Sequence, residues 1–546
     1  MELNRRQFVA ASGVAALSMA VCGNVAQADE APGVGTLYTK YRNPDEIGII
    51  HEAAKEEDFD VVVVGTGIGG ICCSMLLAEQ APEAKVLLID KMPVPGGNTN
   101  FAEICQPAYS KTWEQALSDA LERASKQNNM IDPFLWATVH EDDGRLSEWF
   151  FVKHQVELSD DRFFYKGHVG AGMVTMMTGK IQSDPTYASI DMRLNTQAIA
   201  LLTSDPYTVT GVQIKDRESG EYINVNAKAV MLATGGMGTN PELLRFYNNA
   251  DVLEKAEPIG LGQDGDGQLM VEYTAHDMAK LSYFGSGWVV VKGKSIMSPL
   301  SCAACMQTTN VFVNQYGKRF NNESANSGPT RNSNFMVQGK VYSIMGKGII
   351  DYFEANGSTA GMFYFWHEPT AIQDELAESI DDEFIFKADS FEELAEKIGV
   401  PVETFVAEME QYEADALAGT GDSVFGKPAE LTLPFGEPPY YAMRCAALLV
   451  QSNGGIRVNT DCQVCDPYFV PIKGLYAGGI NVSGFWGELG ATGISQKAGL
   501  WGGLKAARVI IEKDLGGTVD ENWFGDEIYS GELADMSKLE LNKPLV

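Results

Sequence analysis

Asp60-Val61-Val62-Val63-Val64-Gly65-Thr66-Gly67-Ile68-Gly69-Gly70 sets an unbroken apolar run directly before a G-x-G-x-x-G turn. The valine run predicts a strand buried on both faces, as in a parallel sheet. Ile71 to Gln80 is rich in small and apolar residues and predicts a helix. Lys85 to Ile89 predicts a second strand, ending at Asp90. The glycine motif alone is weak. Strand, glycines, helix, strand and acid in that order form the context in which such a motif binds a dinucleotide. Gly65 permits the tight turn, Gly67 lets backbone approach a pyrophosphate, and Gly70 lets helix pack on strand. Backbone N–H groups from Gly65 through Ile68 and Gly69, with the helix N-terminus beyond, face the phosphates. Asp90 stands 20 residues past Gly70, where a carboxylate takes ribose hydroxyls.

Lys91-Met92-Pro93-Val94-Pro95-Gly96-Gly97-Asn98-Thr99 follows at once. This stretch resembles the flavoprotein subunits of the fumarate reductase and succinate dehydrogenase superfamily, where an E-K-x-x-x-x-G-G-N-T segment wraps FAD. Asp90 occupies the position of the usual Glu. Further landmarks come in that family's order. They are Ala229 to Gly238, Gly265-Asp266-Gly267, Gly317-Lys318-Arg319-Phe320-Asn321-Asn322-Glu323, Phe425-Gly426-Lys427-Pro428 and Gly474-Leu475-Tyr476-Ala477-Gly478-Gly479. The resemblance covers roughly Asp58 to Lys513. It implies an α/β fold: a Rossmann-type FAD-binding domain with an inserted α+β capping domain. It also implies non-covalent FAD, held by the Gly65–Gly70 turn, Asp90, Lys91, Gly96, Gly97, Asn98, Thr99, Ala198, Ala233, Thr234, Gly235, Asp266, Gly479 and Ile494.

The same likeness divides the chain. Residues 58–282 and 451–515 form the FAD domain, residues 283–450 form the cap that closes over substrate, and 516–546 form an acidic tail. Before these, 29–57 reads as a charged leader with helical character. Asn4-Arg5-Arg6-Gln7-Phe8 opens a stretch without charge from Gln7 to Ala28, and Ala26-Gln27-Ala28 offers a cleavage site. Residues 1–28 therefore read as a twin-arginine signal, which predicts export of a folded, cofactor-loaded protein to the periplasm or cell exterior.

Composition narrows the function. The 546 residues allow about three or four domain-sized units. A net charge of -32 repels nucleic acid and anionic lipid. Two C-x-x-C pairs, Cys302/Cys305 and Cys462/Cys465, lie far apart in sequence, and the six histidines show no metal spacing. We expect no metal. Neither pair is followed by His, so no haem is attached. Electrons must then come from a separate cytochrome or flavin carrier, membrane-associated by expectation.

The substrate end departs from the fumarate-reducing pattern. Motif alignment places Ser327 where the family has its acidic Arg, and Tyr283 where it has a substrate His. Ala303, Met306 and Gln451 replace other clamp residues, and no Arg lies between Gly478 and Lys497. The cationic clamp for two carboxylates is missing. This implies a less charged, more apolar acceptor, with Tyr283, Phe284, Trp288, Phe485 and Trp486 as aromatic lining and Gln451 beside them. Tyr283, Arg331 and Tyr441 are the candidate proton donors. The activity implied is reduction of an activated C=C bond in a small organic acceptor, with hydride from flavin N5. Two alternatives stand beside it: a 3-ketosteroid-type dehydrogenase, which also resembles this chain and runs the chemistry backwards, and a non-catalytic flavin electron carrier.

Overall fold

A computed structural model describes residues 46–102, 105, 107–126, 131–158, 165–166, 170–247, 256–258, 260, 262–273, 278–283, 289–294, 298–305, 307–324, 335, 337–356, 371–379, 383–449, 452–485, 494–525 and 529–530. The signal segment 1–28 lies outside the described residues, as do Phe284, Trp288, Ser327, Arg331, Gln451 and Trp486.

The chain begins with β1 (Lys55–Asp58), β2 (Val61–Val64), α1 (Ile68–Gln80) and β3 (Val86–Ile89), then α2 (Trp113–Lys126), α3 (Pro133–Ser147) and α4 (Gly170–Ser183). Five strands follow: β4 (Ile190–Arg193), β5 (Thr196–Asp205), β6 (Thr208–Asp216), β7 (Tyr222–Asn226) and β8 (Ala229–Leu232). These strands join a ten-stranded sheet whose main path runs β1-β7-β6-β18-β8-β2-β3-β4, with β18 (Pro471–Ala477) reached much later in the chain. Strands β2, β3, β4, β8 and β18 are parallel. All four valines of β2 are buried, as a strand covered on both faces requires.

The middle of the chain builds a second layer. It comprises α5 (Pro241–Tyr247), β9 (Ala256–Pro258), α6 (Asp266–Tyr273), β10 (Met278–Tyr283), β11 (Val289–Val291) and α7 (Pro299–Cys305). After these come β12 (Val311–Asn314), β13 (Val341–Met345), α8 (Lys347–Asn356), α9 (Ala371–Glu378), β14 (Ile385–Ala388), α10 (Phe391–Ile398), α11 (Val402–Ala418) and β15 (Tyr440–Leu449). Strand β15 is the spine of a six-stranded sheet with β9, β11, β12, β13 and β14. Strand β16 (Ser452–Ile456) pairs with β10 in a separate ribbon. The chain then runs through β17 (Gln463–Cys465) and β18 to α12 (Ile494–Lys513), which packs along α1.

Three details differ from the sequence reading. Helix α1 starts at Ile68, three residues before Ile71, because the last glycines of the turn already take helical backbone. Lys55–Asp58 is a strand, not helix: it gains a parallel ladder with β7, and this pairing overrides the local preference of Lys-Glu-Glu-Asp. Strand β9 lies before residue 283 in sequence yet belongs to the six-stranded sheet, paired with β15 from Ala447 to Leu449.

The charged motif at 317–323 serves the second layer. Arg319 Nη2 donates to Asp422 Oδ2 at 2.6 Å and to Glu323 Oε2 at 3.3 Å, and Lys427 Nζ stands 2.9 Å from Glu323 Oε2. Lys427 also donates to the Asn310 carbonyl at 2.6 Å. Two cations and two anions thus cancel in a buried knot, with the Tyr412 ring beside both cations. Burial pulls the Lys427 ammonium down, while Glu323 and Asp422 outweigh burial at Arg319 and hold its guanidinium up. Such a group fixes a unique arrangement more than it adds stability.

A second buried charge anchors the far end of α1. The Glu79 carboxylate accepts from Trp149 Nε1 at 3.1 Å, Lys153 Nζ at 2.7 Å and Tyr187 Oη at 2.9 Å, with His154 Nε2 at 3.0 Å. Burial opposes its charge, but these donors outweigh burial and hold it at about 2 against an ordinary 4.5. His154 and then Lys153 are the groups that lower it, and His154 is itself pulled down by burial. A lowered carboxyl adds stability above its unfolded pKa and loses it as pH falls toward the folded one. Denaturant melts should therefore show about 3 kcal/mol of Glu79-dependent stability lost between roughly pH 4.5 and pH 2. A Glu79→Gln variant should lack this component, so the gap between wild type and variant should close over that window.

Candidate active site

The cleft opens at the C-terminal ends of the parallel strands, where such sheets bind ligands. It holds about 940 Å³ of empty volume, open to solvent, and its wall includes Gly65, Gly67, Ile68 and Gly69, Asp90 to Met92, and Gly96 to Thr99. The opposite wall includes Gln197, Ala198, Ala233 to Gly235, Gln263, Asp266 and Gly478 to Ile480. Every cofactor residue expected from the sequence lines this cleft, except Gly70 and Ile494. Gly70 sits directly beneath the turn: a Cβ there would stand 1.8 Å from the Gly65 carbonyl oxygen. Ile494 opens α12, whose next residues, Ser495 and Gln496, reach the wall.

Gly65 has φ +105°, and a Cβ on it would lie 2.3 Å from the Ala233 carbonyl oxygen. Gly67, the residue before α1, has no side chain of its own to cap the helix, and Thr99 Oγ1 takes the Ile68 amide. The space there stays open to a phosphate, which the helix N-terminus favours. Thr66 and Thr99, which the fingerprint leaves unspecified or reads only as binding residues, prove to shape the turn. Thr66 Oγ1 donates to Asp90 Oδ2 at 2.6 Å and accepts from Gly96 N at 3.1 Å. Thr99 Oγ1 accepts from Ile68 N at 3.1 Å. Asp90 also accepts from Thr66 N and Met92 N, both at 2.9 Å. A carboxylate has about four acceptor sites, so one remains for a ribose hydroxyl.

Lys91 Nζ bridges Asp264 Oδ2 at 2.6 Å and Asp266 Oδ2 at 2.9 Å, and Gln197 Nε2 donates to Asp266 at 3.0 Å. Burial pulls Lys91 down, but the two carboxylates outweigh it and hold the ammonium above its usual range. Burial pushes the Asp266 carboxyl up despite Lys91. Helix α12 is fastened to α3 by Lys497 to Asp143 at 3.0 Å and Arg508 to Asp142 at 2.6 Å. These pairs fix the helix whose first turns face the cleft.

The substrate-side expectations fare differently. Tyr283 ends β10, its α-carbon paired with Ser452. Phe485 is a core residue rather than a pocket wall: it is 2 % exposed, stacks edge-on to Trp501 at 5.5 Å, and its carbonyl accepts from Trp136 Nε1. Tyr441 sits in β15 opposite Met345 and Lys387. At a rise of about 3.4 Å per residue it stands about 27 Å from Leu449, the end of the strand that hands on to β16. It is not among the residues that line the cleft. Among the described residues no group of His, Cys, Asp and Glu is arranged to hold a metal ion.

A glycine turn at the strand ends, a helix N-terminus facing the cleft and an acid at the end of β3 define a dinucleotide-binding flavoprotein of the Rossmann class. Residues 141–494 match the family described as FAD binding domain, and residues 63–109 match the NAD(P)-binding Rossmann-like domain. The chain belongs to the FAD binding domain family. It is 26% identical over 471 residues to a vinyl phenol reductase of Lactiplantibacillus plantarum, a match covering 80% of this chain and 92% of the relative. It is 24% identical over 496 residues to a urocanate reductase of Eggerthella lenta, covering 86% and 77%. The solved open conformation of a flavocytochrome c3 fumarate reductase superposes with a TM-score of 0.65 at 22% identity, over 88% of this chain and 81% of that one. The chain is an FAD-dependent oxidoreductase acting on carbon–carbon bonds.

The cradle fits FAD. Gly65→Ala would force a methyl group into the Ala233 carbonyl at a backbone angle that L residues rarely adopt. We expect that variant to emerge colourless, without the visible flavin spectrum even after incubation with FAD. A yellow Gly65→Ala protein of normal flavin content would contradict this account of the turn.

Proposed function

We propose that the protein reduces an activated C=C bond in an uncharged, relatively apolar organic molecule with an aromatic or polycyclic frame, using it as a respiratory acceptor. The observation that carries this reading is the charge at the cleft. Among the described residues that line it, Lys91 is the one cation, and two carboxylates hold it. Asp264 and Asp266 engage that ammonium, so the described lining offers no further cation to a small diacid. Similarity to a vinyl phenol reductase supports a neutral aromatic substrate.

Bound in the cleft without a covalent link, FAD supplies the hydride for the β-carbon of the alkene. The chain positions substrate, excludes water under the 283–450 cap, and delivers a proton to the α-carbon. Tyr283 is the proposed acid, because it pairs in the β10–β16 ribbon with Ser452, which packs behind Gly236 next to the cleft residue Gly235. Arg331 is the second candidate. Export through the twin-arginine route would bring the loaded enzyme to a separate cytochrome or flavin donor at the membrane. No helix among the described residues is long and apolar enough to cross a membrane.

Dithionite-reduced enzyme mixed with single alkenes tests the reading. Vinyl phenols or enones should reoxidise the flavin, and fumarate should do so at least about 100-fold more slowly. Brisk turnover of fumarate would overturn the neutral-substrate reading. In single-turnover reoxidation by the best acceptor, Tyr283→Phe should be slower by about 10²–10⁴-fold. An unchanged rate removes Tyr283 and leaves Arg331.

A further inference from the structure

Two uncharged polar groups meet behind one wall of the cleft. Gln263 lines the cleft and is 5 % exposed, and its Oε1 has no hydrogen-bond partner among the described residues. Ser452, the first residue of β16, is fully buried, and its Oγ likewise has none. Both converge on Gly236. A Cβ built there would stand 2.6 Å from Ser452 Oγ and 2.9 Å from Gln263 Oε1, with Ile480 Cγ2 at 3.2 Å. The Gln263 amide nitrogen turns the other way, toward Gly260, where Asn98 Oδ1 also converges. Interiors leave few buried polar atoms bare, and two in one small volume call for a ligand that answers both.

We propose that Gln263 and Ser452 form a subsite for a neutral hydroxyl group on the substrate, of the phenol kind. The proposal rests on the reading of the chain as a reductase of uncharged alkenes and names the handle by which such a substrate is gripped. Gln263 Oε1 can only accept, so the ligand group must carry a proton. Ser452 Oγ can then donate to the oxygen of that same group. A hydroxyl satisfies both atoms. An ether or ketone brings no proton to Gln263, and a carboxylate would set its negative oxygen against an acceptor.

Gln263 shares the cleft wall with Asn98, Gly235 and Asp266 of the cofactor cradle, and Ser452 reaches it from the strand β16 side. Strand β15 ends at Leu449 and β16 begins at Ser452, so the pair lies where the six-stranded sheet hands the chain back to the cleft. The fingerprint turn at Gly65 to Gly70 and the Thr66–Asp90 contact belong to other elements, β2, α1 and the end of β3. Ser452 is also the α-carbon partner of Tyr283, so the hydroxyl subsite and the proposed proton donor share one ribbon.

Non-reducible probes test the subsite on FAD-loaded protein. 4-Ethylphenol, 4-ethylanisole and ethylbenzene are titrated against the visible spectrum of oxidised flavin. In wild type, 4-ethylphenol should bind at least about tenfold more tightly than either analogue, because a site built around a hydroxyl penalises its loss. In Ser452→Ala, and separately in Gln263→Met, that preference should fall to near unity in the protein that retains FAD. Equal affinity for all three probes in wild type overturns the proposal. So does a variant that keeps the preference, and so does a loss of FAD affinity with the preference unchanged, which would assign the pair to the flavin. None of the probes has an alkene, so these outcomes are read whether or not any alkene reoxidises the enzyme.

Discussion

The cleft depends on one close approach between backbones. The Gly65 amide donates to the Ile89 carbonyl at 2.7 Å, the Ala233 amide donates to the Val64 carbonyl at 2.8 Å, and the Ala233 carbonyl occupies the space a Gly65 side chain would need. Three strand ends, those of β2, β3 and β8, are thereby drawn into contact at the point where the chain must also turn into α1. The floor of the cleft is made of main chain, with little side-chain thickness between sheet and ligand. A pyrophosphate needs such a floor, since its charge must lie close to fixed backbone dipoles with no side chain between them.

Charge is arranged in keeping with that floor. Every strongly buried cation described above is already matched: Lys91 by two aspartates, Arg319 and Lys427 by Glu323 and Asp422, Lys497 by Asp143. A protein that carries -32 overall keeps its interior balanced and sets the excess on the surface. Neutral polar groups stand beside these balanced charges: Gln263 lines the cleft, and Ser452 is buried behind Gly236.

The part of this arrangement that was legible in the sequence is the part encoded locally. Val61–Val64, the glycines, Asp90 and Gly96 to Thr99 lie within one stretch, and each is dictated by a steric or hydrogen-bonding need of its immediate neighbours. Thr66 was not legible, because the fingerprint leaves that position free and only the fold brings it to Gly96. Gln263 and Ser452 meet across 189 positions (452 less 263), which no periodicity reports. Phe485 misled for a different reason: an aromatic beside a glycine-rich turn has one sequence appearance whether it faces a pocket or, as here, Trp501. The charges of Gly317 to Glu323 were visible as a motif, but that they neutralise Lys427 and Asp422 could be seen only once α11 and the following loop had folded over them.

All eight described cysteines are buried and carry free thiols, including both members of each C-x-x-C pair. Burial pushes the Cys105 and Cys465 thiols up to about 11 and Cys462 to about 12. Thiolate, the form that oxidants and disulfides attack, is therefore scarce at all three at neutral pH. These three sulfurs therefore resist coupling in reducing and oxidising surroundings alike.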